Sequence, residues 1–117
     1  MSRTRDYRLY LEDIFKALTR IEKYVTGLSF KEFSKDTKTI DAVVRNFEVI
    51  GEAAKQIPDS MRDKYREVPW KDMSGMRDML IHKYFEIALD VVWKTITERL
   101  PPLRISVKKI LDEMEDD

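Results

Sequence analysis

The chain contains no cysteine. Disulfide scaffolds, Cys-ligated zinc or iron–sulfur centres and thiol chemistry are therefore excluded. It has a single histidine, His82. A His-rich metal site within one chain is not expected, and neither metal nor cofactor is implied. Only three Gly and four Pro interrupt 117 residues. No apolar run exceeds three residues, as in Ile87 to Leu89, so no membrane-spanning helix is expected. The opening Met-Ser-Arg-Thr-Arg-Asp has no apolar segment of the secretory type. Net charge is absent too: 22 Lys+Arg balance 22 Asp+Glu. The molecule as a whole is not an electrostatic surface for nucleic acid, and any phosphate contact must be local. These absences describe a soluble protein, expected to be cytoplasmic.

What is present favours helices. Leu, Ile, Val and Phe make 32 residues, too many for a disordered chain and enough for one core. Charged residues are 38%, and with few breakers this composition predicts a single all-α domain over residues 1–117, with 104–117 as a C-terminal helical tail. Tyr7, Leu11, Ile14, Leu18, Ile21 and Val25 recur in steps of three and four, one face of a helix over about Asp6 to Tyr24 that Gly27 stops. Ser29 to Glu32 fits a capping box. Asp36 is placed to cap a helix whose stripe is Ile40, Val43, Val44, Phe47, Ile50, Ala54 and Ile57, with Pro58 at its end. Gly51 sits beside that stripe, where another backbone can come close.

Asp59 to Arg66 reads as a short polar helix or turn, and Pro69 suits the first position of the next helix, which carries Trp70, Met73, Met76, Leu80 and Ile81. A further helix runs through Ile87, Val91, Val92 and Ile96, and Pro101-Pro102 should break or kink it before a last piece through Leu103, Val107, Ile110, Leu111 and Met114. No segment alternates with period two. The expectation is a bundle of four or five antiparallel helices. Arg3, Arg5 and Arg8 at one end, and the acids from Asp112 to Asp117 at the other, read as solvated ends.

Chemistry concentrates in Trp70 to Tyr84, WKDMSGMRDMLIHKY. Arg77, His82 and Tyr84 stand there in the spacing R-x4-H-x-Y. Arginine supplies a permanent fork of donors for phosphate. Histidine exchanges a proton near neutral pH. Tyrosine offers a hydroxyl and a stacking face. On a straight helix Arg77 and Tyr84 lie about 20° apart, but His82 lies about 140° from Arg77. Either the helix ends near His82, or a second chain completes the site. Cleaving RNA through its 2′-hydroxyl needs a base and an acid, and a two-fold dimer brings two histidines and two arginines. The plainer alternative is a capping or surface histidine, with Arg77 paired to Asp72, Asp78 or Asp90 at little gain. Trp70 and Trp93 read as core or interface rather than a stacking platform. Asn46 sits about 60° from Val43, at the edge of its helix's stripe, and Glu52 lies opposite the stripe. No Gly-rich phosphate loop is present.

With GMRDMLIHKYF (Gly75 to Phe85) following Pro69-Trp70, RNFEVIGEAAK (Arg45 to Lys55) upstream and LDVVWKTITERLP (Leu89 to Pro101) downstream, the sequence resembles HEPN-domain proteins. It is similar in particular to the HepT-like toxins of prokaryotic toxin–antitoxin pairs, from about Tyr7 to Leu103. The resemblance implies a homodimeric HEPN bundle with Arg77 and His82 of both copies lining a cleft at the two-fold axis. It implies metal-independent ribonuclease activity in which Arg77 binds and polarises the phosphate and His82 is the acid–base residue. It further implies that a partner of the MntA type, a minimal nucleotidyltransferase, attaches AMP to Tyr84, placing a bulky anion in the cleft. Asp78, Lys83 and Asn46 would be auxiliary.

Charge tempers this picture. From Lys55 to Lys83 seven Lys/Arg face five acids, a surplus too small for tight non-specific RNA binding. Two other readings therefore stand beside the enzyme. In one, the cleft holds a nucleotide or the nucleotidyltransferase and cleaves nothing. In the other, the chain is a helical adaptor in which Arg77, His82 and Tyr84 are exchangeable.

Overall fold

A computed structural model describes residues 3–76 and 88–115. Every regular element among them is helical: α1 (Arg3–Val25), α2 (Phe30–Lys35), α3 (Thr37–Lys55), α4 (Asp59–Lys64), α5 (Trp70–Ser74), α6 (Leu89–Lys94), a π-helical turn (Thr95–Arg99) and α7 (Leu100–Glu115). The all-α bundle expected from composition is the architecture found. Among the described residues no helix is long and apolar enough to cross a membrane.

The stripe read on α1 is the core: Leu11, Ile14, Leu18 and Ile21 are wholly or almost wholly buried, facing Val43, Phe47 and Ile50 of α3. Each such side chain contributes roughly 1.5–3 kcal/mol on burial, which makes stable helices of segments that would be marginal alone. Tyr10 and Asp13 of α1 share one cleft with Glu52 and Gln56, whereas Arg20 and Tyr24 share another with Asp41 and Ala42. The two long helices therefore run antiparallel.

The α1–α3 corner follows from local chemistry. Gly27 has φ +80, the left-handed conformation that costs a side-chain-bearing residue most, and turns the chain after α1. Ser29 then begins α2 with the predicted capping box: its N–H donates to Glu32 Oε1 (3.0 Å) and its Oγ accepts from Glu32 N–H (3.1 Å). The bond from the Ser29 backbone, and after it the Ser29 side chain, hold the Glu32 carboxyl below its ordinary range. Asp36 serves two helices. Its N–H donates to Phe33 O (3.0 Å) to close α2, and its carboxylate accepts from Thr39 Oγ1 (2.7 Å) and Thr39 N–H (3.0 Å) to open α3. The Thr39 hydroxyl, then its N–H, lowers the Asp36 pKa.

Four details differ from the sequence reading. First, α3 ends at Lys55, three residues before Pro58, which stands extended (φ −75, ψ 161) ahead of α4. Second, Pro69 precedes α5 rather than opening it. With φ −79 and ψ 68 it is the centre of an inverse γ-turn, closed by Trp70 N–H to Val68 O at 2.9 Å. Third, Val91 is 43% exposed, while its neighbour Val92 is buried and Trp93 lies 5.0 Å from the Phe33 ring. The face of α6 that meets α2 is centred on Val92 and Trp93, about 100° or more round the helix from Val91.

The fourth concerns Pro101-Pro102. These residues do not break the helix; α6 passes through the π-turn directly into α7. A proline ring clashes with the carbonyl four residues back, here those of Thr97 and Glu98. Widening the turn relieves both clashes, and Leu100 N–H reaches Thr95 O, five residues back. The hydroxyls of Thr95 and Thr97 donate to Val91 O (2.9 Å) and Trp93 O (3.0 Å), giving the preceding turn additional bonds. Leu103, Val107, Ile110 and Leu111 of α7 are buried, and α7 packs on α1. Among the described residues near the two ends, Arg8 pairs with Glu12 (2.9 Å), Lys108 with Asp112 (2.7 Å), and the Tyr65 hydroxyl donates to Glu113 (3.0 Å).

Candidate functional site

The segment that carries Arg77 is approached through a set of fixed contacts. Arg62 on α4 donates from Nη2 to Ala54 O (2.8 Å), which also accepts Ile57 N–H (3.2 Å), and from Nε to Ile57 O (3.0 Å), just past the end of α3. The same Nη2 reaches Ser74 Oγ on α5 (3.2 Å), and Ser74 donates to Trp70 O (3.0 Å). Trp70, buried at 5% exposure, donates its indole N–H to Tyr65 O (3.0 Å). Met73 on the inner side of α5 is wholly buried, and Met76, just past its end, is nearly so. The end of α3, α4 and α5 therefore form one block up to the residue before Arg77. On the far side α6 resumes at Leu89, with Val92 buried and Trp93 against Phe33 of α2. Both flanks of the motif thus dock onto the α2–α3 unit.

Arg77, Asp78, His82, Lys83 and Tyr84 lie outside the described residues. Asn46 lies within them. It is 6% exposed, and its Nδ2 donates to Ala42 O at 2.8 Å, so the border residue of the sequence reading is a satisfied, nearly buried amide. It lines a cleft of about 520 Å³ between α1 and α3 that Arg20, Tyr24 and Arg45 also line. Asp72, a sequence candidate for pairing with Arg77, lies 3.8 Å from Arg99. Glu52 is exposed and 3.9 Å from Lys55.

Sequence reasoning gave Arg62 no role beyond its charge. The available signal was its position: an arginine four residues after a proline that cannot continue a helix lies within reach of the carbonyls near that helix's end.

A family model described as Ribonuclease HepT-like matches residues 14–110. The chain belongs to the HepT-like ribonuclease family. Relatives extend over most of its length. A candidate RNase of Caldanaerobacter subterraneus subsp. tengcongensis is 43% identical over 106 residues, 91% of this chain and 95% of that protein. A probable ribonuclease HepT of Thermococcus cleftensis is 42% identical over 106 residues, 91% of this chain and 96% of that protein. A candidate RNase of Methanocaldococcus jannaschii is 39% identical over 111 residues, 95% of this chain and 92% of that protein. No solved structure matches the chain significantly. The HepT-like match runs from Ile14 in α1 to Ile110 in α7, so it contains the Arg62–Trp70 block, the R-x4-H-x-Y spacing and the resumption at α6. At the level of the HepT-like family, the relatives' names support ribonuclease activity, and the all-α bundle is the HEPN architecture anticipated from the motif.

Proposed function

We propose that this chain is a metal-independent endoribonuclease, the toxin of a toxin–antitoxin pair. It acts as a homodimer whose cleft carries Arg77 and His82 from both copies. One observation carries the reading. The HepT-like match covers residues 14–110, and the chain's single histidine falls inside it in the R-x4-H-x-Y spacing. In the proposed reaction Arg77 clamps the scissile phosphate. His82 of one copy takes the proton of the 2′-hydroxyl, whose oxygen attacks phosphorus. The bond from phosphorus to the 5′-oxygen breaks, and His82 of the other copy protonates that oxygen. The products are a 2′,3′-cyclic phosphate and a 5′-hydroxyl. Asp78, Lys83 and Asn46 are auxiliary.

Control falls to Tyr84. A partner nucleotidyltransferase of the MntA type transfers AMP from ATP to the Tyr84 hydroxyl, releasing pyrophosphate. The added anion sits where RNA phosphate would bind, and electrostatics and bulk both oppose substrate.

The test is cleavage of cellular RNA by purified protein in EDTA. Wild type should leave 2′,3′-cyclic ends, and His82→Ala should lose activity by about 10²–10⁴-fold. The balanced charge, 22 against 22, favours a second reading: a non-catalytic module that holds a nucleotide or the nucleotidyltransferase in the same cleft. Intact RNA after incubation with unmodified wild type would select it. Mass spectrometry after incubation with the partner and ATP reads the Tyr84 step separately.

A further inference from the structure

Helix α5 stops at Ser74, and the sequence reaches Arg77 after only Gly75 and Met76. Two side chains hold this exit. The Ser74 hydroxyl donates to Trp70 O (3.0 Å) and accepts from Arg62 Nη2 (3.2 Å), so one oxygen ties the last turn of α5 both to its own helix and to α4. Met76 is nearly buried and belongs to the core. Gly75 stands between them in the right-handed helical region (φ −82, ψ −6), with its N–H on Lys71 O at 3.1 Å. A glycine resists re-aiming of the chain least of all residues, so the direction taken here depends on the anchors at either side. Arg62 is itself a fixed point, because the same guanidinium bonds Ala54 O and Ile57 O. Those two bonds alone join α4 to the end of α3. The third, to Ser74, carries that junction forward to the segment that holds Arg77.

We infer that Ser74, held by Arg62, is a positioning residue for Arg77 in RNA cleavage. The inference rests on the cleavage reading above and adds a residue which that reading leaves out. Ser74 acts through the chain rather than on RNA: it is half-buried, and its hydroxyl is already in use as donor and as acceptor. A guanidinium that stabilises charge developing at phosphorus must be aimed before the reaction begins, and a displacement of about 1 Å costs up to ~10²-fold in rate. That charge is greatest in the transition state, so the loss falls on kcat more than on KM. The hydroxyl is what matters at this position. Valine or alanine would leave the Arg62 N–H without its acceptor and Trp70 O without its added donor. Threonine keeps both bonds, because its hydroxyl readily meets the carbonyl four residues back.

Steady-state cleavage of RNA by the full chain in EDTA, assayed well below each variant's thermal midpoint, tests the assignment. Ser74→Val should lower kcat by about 10–100-fold with KM within ~3-fold of wild type. Ser74→Thr, which has the shape of valine and regains the hydroxyl, should restore most of the rate. Circular dichroism checks that the helices persist, and Ser74→Ala replaces the valine variant if that one does not fold. An Arg77→Lys background shows which residue Ser74 acts through. Once the fork on phosphate is gone, adding Ser74→Val should slow the reaction by less than ~3-fold further. A merely structural role would give the same fold loss in both backgrounds. That result overturns the assignment while leaving the reaction standing, as does a folded Ser74→Val as active as wild type, or threonine and valine variants that are equally slow. A wild type that leaves RNA intact removes the reaction and the assignment with it.

Discussion

The two sides of α3 solve different problems. Towards α4 and α5, Arg62 meets Ala54 O in the last turn of α3 and Ile57 O just beyond it, and also holds Ser74, so the chain enters the motif from a braced position. Towards α1, the same helix exposes Arg45 and Glu48 over an open groove. Both sides carry arginine on a helical surface, yet one guanidinium bonds two backbone oxygens and a hydroxyl, and the other makes no salt bridge or side-chain hydrogen bond among the described residues. Residue type therefore does not separate a bracing arginine from an unpaired one. The distinction lies in what the fold brings within reach, here the open end of a helix on one side and a facing helix with no complementary partner on the other.

Substitutions should sharpen that contrast. The largest expected effect is at Met73, wholly buried under the braced side. Met73→Ala should cost about 2–5 kcal/mol, read from the urea midpoint. Arg62→Ala removes bonds from a charged donor to two carbonyls and one hydroxyl and should cost about 2–3 kcal/mol. Arg62→Lys should recover little of it, because one ammonium cannot reproduce the fork. On the open side, Arg45→Ala should change the stability of the folded chain by less than about 0.5 kcal/mol. If Arg45→Ala proved as costly as Arg62→Ala, the contrast would be wrong.

Asp36→Ala should destabilise the fold at neutral pH by removing the α3 cap. That cost depends on pH with a definite sign. The folded pKa of Asp36 lies below its ordinary 3.8, so the carboxylate stabilises the fold at neutral pH. The contribution declines as pH falls past the ordinary value and is gone below the folded one. The difference between wild type and Asp36→Ala should therefore narrow on acid titration beginning near pH 4, and a gap that widened there would contradict the capping geometry. Smallest of all is the exposed Arg99–Asp72 pair, 3.8 Å apart. Arg99→Ala should fall within about 0.5 kcal/mol of wild type.

Elements whose cause is local were legible in sequence. The Ser29–Glu32 box, the Asp36 cap and the turn at Gly27 each depend on a few adjacent residues, and each is where the pattern placed it. The stripes of α1 and α3 were legible because burial follows helical period. Val91 was not, because in a short apolar run the choice of inward residue is made by the partner helix, here α2 with Phe33. Pro101-Pro102 misled because the steric rule against proline assumes α geometry, and the helix changed its geometry instead. Of the candidate site, Asn46 was readable as a satisfied polar residue at the stripe's edge. Arg62 was not, since its partners are carbonyls that no side-chain pattern reports. The groove was invisible for a related reason: its charges sit on two helices whose antiparallel register exists only after folding.

The π-turn at Thr95–Arg99 has a consequence for chain length. A π-turn spends about one residue more than an α-turn on the same rotation, so everything after it is set back by one position relative to a continuous α-helix. Leu103, Val107 and Ile110 meet α1 in that shifted phase. A related chain without the two prolines would have no clash to relieve and would wind as plain α-helix. To present the same α7 face to α1, it would need one residue fewer between the positions of Val92 and Leu103. An alignment of such chains should therefore show a single-residue gap inside this helix, at a place where gaps are ordinarily least tolerated.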